Sequence, residues 1–119
     1  MSPASSTANG DTKLFGSLGR YAGAGTLILS SLADGPKHGY ALTKDIEQIA
    51  AVRLAPGTLY EALSRLEHQG LIEALESADR RRPYRLTVAG AAALREQLLQ
   101  QQSVIETGLQ RLRGNWGPA

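Results

Sequence analysis

Four of the chain's 13 basic residues, Arg80, Arg81, Arg82 and Arg85, fall within six positions. A guanidinium is permanently charged and presents its donors in a planar fork, so such a cluster is suited to anions, phosphate above all. A second group lies upstream. Gly57, Thr58, Tyr60, Glu61, Ser64 and Arg65 share the outward side of a stretch whose Leu59, Leu63 and Leu66 recur at helical spacing. Each of these residue types has a use on a nucleic acid. Pro56-Gly57 brings a helix start, with its free N–H groups, close to a phosphate. Thr58 can donate to a phosphate or touch a thymine methyl group, and the fork of Arg65 matches a guanine edge or a phosphate. Tyr60 carries a hydroxyl to the backbone at the groove edge. Glu61 accepts from cytosine or pairs with Arg65 one helical turn away. Lys44, outward-facing on the preceding helix, joins the same DNA-contacting set.

The inventory argues against catalysis. Cysteine is absent, which removes disulfide scaffolds, thiol chemistry and Cys-based zinc sites. His38 and His68 are the two histidines, thirty positions apart and with no E-x-x-H pair. No nucleophile elbow or phosphate loop is present. The chain reads as a non-enzyme that takes no metal and no cofactor. Its net charge is only +2, so the arginine cluster implies a local anion contact rather than a general cationic coat.

These residues need elements to position them. The 119 residues fit one domain with an appended element. Residues 1–12 are rich in Ser, Ala, Thr, Asn and Gly and read as a flexible tail without a secretory signal. No apolar run approaches the roughly 20 residues that span a bilayer, so the chain is expected in the cytoplasm, away from membranes and at the nucleoid when bound. Leu14, Phe15, Leu18 and Tyr21 form a short helical pattern weakened by glycines. Leu27 to Leu32 predicts the first firm helix, closed by Asp34-Gly35-Pro36. The second helix runs from His38 or Gly39 to Ala50, with Leu42, Ile46 and Ile49 as its apolar stripe and Tyr40 as a core residue. Val52-Arg53-Leu54 reads as a brief extended stretch. Pro56 opens the third helix and Gly70 ends it. Leu71–Glu76 and Pro83–Thr87 read as strands around a polar loop, Ser77–Arg82, with Pro83 marking an edge.

A last helix begins at Val88. Leu94, Leu98, Ile105, Leu109 and Leu112 form a stripe on it that its own small domain has little surface to cover. Pairing with the same helix of a second subunit is the economical solution, and Leu14 and Phe15 are candidates to join that interface. Trp116 lies past the clear helix signal and reads as a tail residue, with an aromatic effector platform as the alternative. The fold class is therefore mainly α with a small β-hairpin: a winged helix-turn-helix over residues 13–87, a dimerisation helix over 88–113 and a tail over 114–119. In such a fold the third helix enters the major groove and the hairpin bears on phosphates or the minor groove. The alternative is a winged helix used for protein contact, which would not need Arg80 to Arg82.

Three segments together resemble the PadR family of transcriptional regulators: His38-Gly39-Tyr40-Ala41-Leu42, the run Pro56 to Glu67 followed by Gly70-Leu71-Ile72, and Arg80 to Thr87 with Gly90. The match covers roughly residues 26 to 95. The resemblance implies a dimeric repressor on double-stranded operator DNA, of the small subfamily with one C-terminal helix. It also implies relief of repression by a small aromatic effector, phenolic or drug-like. Two positions depart from the family pattern. Ala55 stands where a capping Ser is common, and Pro83 where an aromatic is common.

Overall fold

The computed structural model describes residues 23–77 and 81–117. The expectations for residues 1–12, for Leu14, Phe15, Leu18 and Tyr21, and for Arg80 lie outside these residues. Three helices, a hairpin and a long helix follow in order: α1 (Gly23–Leu32), α2 (Gly39–Ala50), α3 (Pro56–His68), β1 (Ile72–Ala74), β2 (Tyr84–Leu86) and α4 (Val88–Trp116). The architecture is mostly helical with one two-stranded antiparallel hairpin, paired Ile72 to Leu86, Glu73 to Arg85 and Ala74 to Tyr84. No helix among the described residues is long and apolar enough to cross a membrane.

The core forms where the apolar stripes of three helices meet the hairpin. Leu27, Ile28, Leu29 and Leu32 of α1 pack with Leu42 and Ile46 of α2, Leu59, Ala62, Leu63 and Leu66 of α3, Ile72 of β1 and Leu94 of α4. α1 is apolar nearly all round because it is the central element, contacting α2, α3, α4 and β2. Two expectations for α2 are corrected. Tyr40 is 68% exposed, because two residues before Leu42 is about 160° around the helix, on the opposite face. Ile49 is 54% exposed: it shares the stripe, but no described element covers that last turn.

Both strands are a residue or more shorter at each end than the alternating pattern predicts. A further backbone partner joins the hairpin at β2. Lys37, just before α2, exchanges both backbone hydrogen bonds with Tyr84: Lys37 N donates to Tyr84 O at 3.1 Å and Tyr84 N to Lys37 O at 2.9 Å. Val52 and Leu54 instead lie half-buried against the core without strand pairing.

The junction between hairpin and α4 is built around Thr87 and Gly90. The Thr87 hydroxyl caps α4 by accepting from Gly90 N at 2.9 Å and donates to Gly70 O at 2.7 Å. Thr87 N donates to Leu71 O at 3.1 Å. This draws the first turn of α4 so close that a Cβ at Gly90 would collide with the Leu71 carbonyl and sit 2.9 Å from Leu86 Cδ1. Further along, only Leu94 of the α4 stripe is buried. It belongs to the chain's own core, so the outward-facing part of the stripe begins only at Leu98. The helix also continues through Trp116 rather than ending near 113, so that residue is helical and not in a tail.

Backbone cannot give way as a flexible side chain can, so Gly90→Ala is expected to destabilise the fold by about 1–3 kcal/mol. Urea unfolding of the two proteins measures this; equal midpoints would show that the junction tolerates the methyl group.

Candidate nucleic-acid interface

The exposed side of α3 is set by its two ends. Ala55 precedes the helix with extended backbone (φ −66°, ψ 149°), makes no side-chain cap, and is followed by Pro56 in the first turn. The first intrahelical bond is Leu59 N to Ala55 O at 2.9 Å, which leaves the N–H groups of Gly57 and Thr58 without helical acceptors. At the other end Gly70, with φ +78°, closes the helix. Gly70 N donates to Glu67 O and Leu71 N to Leu66 O, both at 3.0 Å. This paired C-terminal closure turns the chain directly into β1.

Between those ends the helix divides cleanly. Leu59, Ala62, Leu63 and Leu66 are buried, whereas Gly57, Thr58, Tyr60, Glu61, Ser64, Arg65 and His68 are exposed. Arg65 and His68 occupy the last turn, where the Arg65 guanidinium complements the helix dipole. Glu61 and Arg65 are not among the ion pairs of the described residues. Glu61, Ser64 and Arg65 line a shallow, open depression with Glu67, His68 and Gln69.

A groove of about 400 Å³ runs between α2 and the start of α3. It brings Lys44 and Tyr60, two of the sequence-predicted contacts, onto one surface with Tyr40, Thr43, Glu47 and Arg53. The Lys44 Nζ lies 5.8 Å from the centroid of the Tyr40 ring, within range of a cation–π contact. The Tyr60 ring crosses over Gly39, whose missing Cβ leaves room for the phenol. Arg53 and Tyr40 line the same groove and are not among the sequence-predicted contacts. Arg53 carried no periodic signal, and Tyr40 resembled any aromatic at the start of an amphipathic helix.

The wing sits beside this surface. Burial pushes the Tyr84 phenol above its ordinary value, the Glu67 carboxylate adds to that rise, and Arg82 opposes it. Tyr84 on the second strand thus faces Glu67 of α3 on one side and Arg82 of the loop on the other. Arg81 and Arg82 are exposed at the end of the loop. Arg85 pairs across the hairpin with Glu73, its Nε donating to Glu73 Oε2 at 2.9 Å. That pair orients the guanidinium along the hairpin face. No group of three or more metal-ligating side chains occurs among the described residues.

The model of the transcriptional regulator PadR-like family matches residues 28–96. The chain is 43% identical over 72 residues to transcriptional regulator Rv3488 of Mycobacterium tuberculosis, covering 58% of this chain and 66% of that protein. It is 53% identical over 68 residues to an uncharacterized 37.1 kDa protein in transposon TN4556 of Streptomyces fradiae, covering 57% of this chain and 20% of that one. The chain thus spans a fifth of the transposon protein and just under two thirds of Rv3488. Among solved structures, a PadR family transcriptional regulator from Eggerthella lenta superposes with a TM-score of 0.73 at 30% identity, covering 88% of this chain and 93% of that one. A PadR family regulator from Clostridium difficile gives 0.69 at 28% identity, covering 75% and 97%.

Ala55 has the backbone of a helix cap but lacks a capping oxygen. Ala55→Ser is expected to stabilise the protein by about 1 kcal/mol, measured as a higher unfolding midpoint. No change would mean that the cap site is not available to a hydroxyl.

Proposed function

The chain belongs to the PadR-like family of transcriptional regulators, and from that premise we propose that it binds operator DNA as a homodimer and represses transcription. The observation that carries this reading is the exposed side of α3, where Gly57, Thr58, Tyr60, Glu61, Ser64 and Arg65 stand clear of the core. A B-DNA major groove, about 12 Å wide, admits one such helix. The α3 side chains then meet base edges while Lys44, Arg81, Arg82 and Arg85, with Arg80 beside them in sequence, meet phosphates. Phosphate contacts fix register and base contacts supply specificity.

The homodimer is supported by α4. Beyond Leu94 the helix carries Leu98, Ile105, Leu109 and Leu112, each between 41% and 58% exposed, in one continuous stripe. Apolar faces of that length on a helix call for a partner helix. A two-fold dimer presents two copies of α3, so the operator is an inverted repeat with half-sites about one helical turn apart. Trp116, 80% exposed, extends the same stripe. We place a small aromatic effector there, acting between the two long helices to change the spacing of the α3 pair. Progressive quenching of the single tryptophan by a phenolic ligand, with release of DNA, is the expected signature; quenching without release would separate the site from regulation.

Gel shift on the DNA upstream of its own gene, across a salt series, tests the main reading. One discrete complex that survives non-specific competitor is expected, with affinity falling steeply as salt rises. Ile105→Glu with Leu109→Glu is expected to give a monomer by analytical ultracentrifugation and to lose the discrete complex. Absence of binding even at low salt would overturn the DNA reading in favour of a winged helix that contacts protein.

A further inference from the structure

The groove between α2 and α3 contains an ion pair that folding does not need. Arg53 Nη1 lies 3.6 Å from Glu47 Oε2, with side chains 80% and 35% exposed respectively. That separation is well beyond the roughly 2.8 Å of a charge-assisted hydrogen bond, and exposed pairs of this kind add little to stability. The contact exists because of a local turn. Ala51 closes α2 with a left-handed backbone, φ 54°, and Ala51 N donates to Glu47 O at 2.9 Å. The chain therefore doubles back, and the residue two positions later comes beside the last turns of α2.

The surroundings of the pair are those of a phosphate contact. Arg53 shares the groove with Lys44, Tyr40 and Tyr60, two cations and two phenols; Tyr40 and Tyr60 are both more than half exposed. Glu47 is the single carboxylate among the residues lining this groove. The groove adjoins Pro56 at the start of α3, so a helix lying in the major groove would bring the flanking backbone against it. A carboxylate placed against the one arginine there offers the guanidinium the same kind of partner that a phosphate would.

We infer that Arg53 is a DNA-phosphate contact and that Glu47 competes with the phosphate for it, so that this acid sets how tightly the protein holds DNA. The inference rests on the operator-binding reading and adds to it a contact and an affinity control. Glu47 lowers affinity for every sequence alike, because phosphate contacts carry no base information. Specificity is left to α3 while overall residence on DNA is held down.

Fluorescence anisotropy on two duplexes of equal length tests this, one from upstream of the chain's own gene and one with that sequence scrambled, each titrated over a salt series. Arg53→Ala is expected to weaken binding to both duplexes by the same factor. It is also expected to lower the slope of log affinity against log salt by about 1 for each protomer engaged. Arg53→Lys restores the slope, since it keeps the charge. Glu47→Gln is expected to tighten binding to both duplexes several-fold, and this gain vanishes in the Glu47→Gln, Arg53→Ala double variant. A parental slope in Arg53→Ala, or a Glu47→Gln gain that persists without Arg53, would overturn the inference while leaving operator binding intact. Failure of the parental protein to bind either duplex at low salt would remove the operator reading and this one with it.

Discussion

The arrangement of α1, α2 and the wing depends on what surrounds Lys37. Its ammonium donates to the carbonyl of Ser31 and to the Asp34 carboxylate, and lies 3.9 Å from Asp45 Oδ2. Asp45 in turn accepts from the Ser31 hydroxyl at 2.6 Å, so the buried polar residue Ser31 is fully engaged. The ammonium beside Asp34 holds that carboxyl below its usual range. The backbone of the same lysine pairs with Tyr84 in β2. One residue thus satisfies the end of α1, anchors the side of α2 and carries an edge of the hairpin. An apolar core alone would fix these elements less uniquely, because hydrophobic burial has no direction, whereas these hydrogen bonds do.

The long helix is two objects in one. Its first turns belong to the compact domain, drawn in by the Thr87 bonds and the bare backbone of Gly90, with Leu94 reaching the core. Its remainder leaves the domain altogether. At about 1.5 Å per residue, the 29 residues of α4 reach far past the three-helix core, and its leucines from Leu98 onward are left facing outward. The junction ties the first turn of α4 to the hairpin and, through Leu71, to the end of α3, while the same helix also packs against α1.

A net charge of only +2 is compatible with a nucleic-acid surface because the charges are arranged rather than abundant. Lys44, Arg53 and the adjacent pair Arg81-Arg82 come from three different parts of the chain; Lys44 and Arg53 meet in the groove beside α3, and the pair stands exposed in the hairpin loop. Acidic residues sit among them as well. Glu73 holds Arg85 along the hairpin, and Glu47 holds Arg53 at the groove. A surface of this kind is tuned by local pairing, which salt screens only in part at close range.

Much of this was legible in the chain itself, because the signals are local. Pro56 and Gly70 bracket α3 through their own backbone chemistry, and the leucine spacing assigns its buried side without reference to any other element. The change from helical to alternating period announces the hairpin, and the clustered arginines mark its loop. What the tertiary structure decided concerns residues whose surroundings come from elsewhere in the sequence. Tyr40 and Ile49 are exposed and Leu94 is buried according to which elements happen to cover them. Lys37 became a strand partner because Tyr84, far along the chain, arrives beside it. Arg53 entered the groove because a left-handed turn at Ala51 folds the chain back on α2. Periodicity reports which side of an element is apolar; only packing determines what lies against that side, because contact depends on distance in space and not on spacing in sequence.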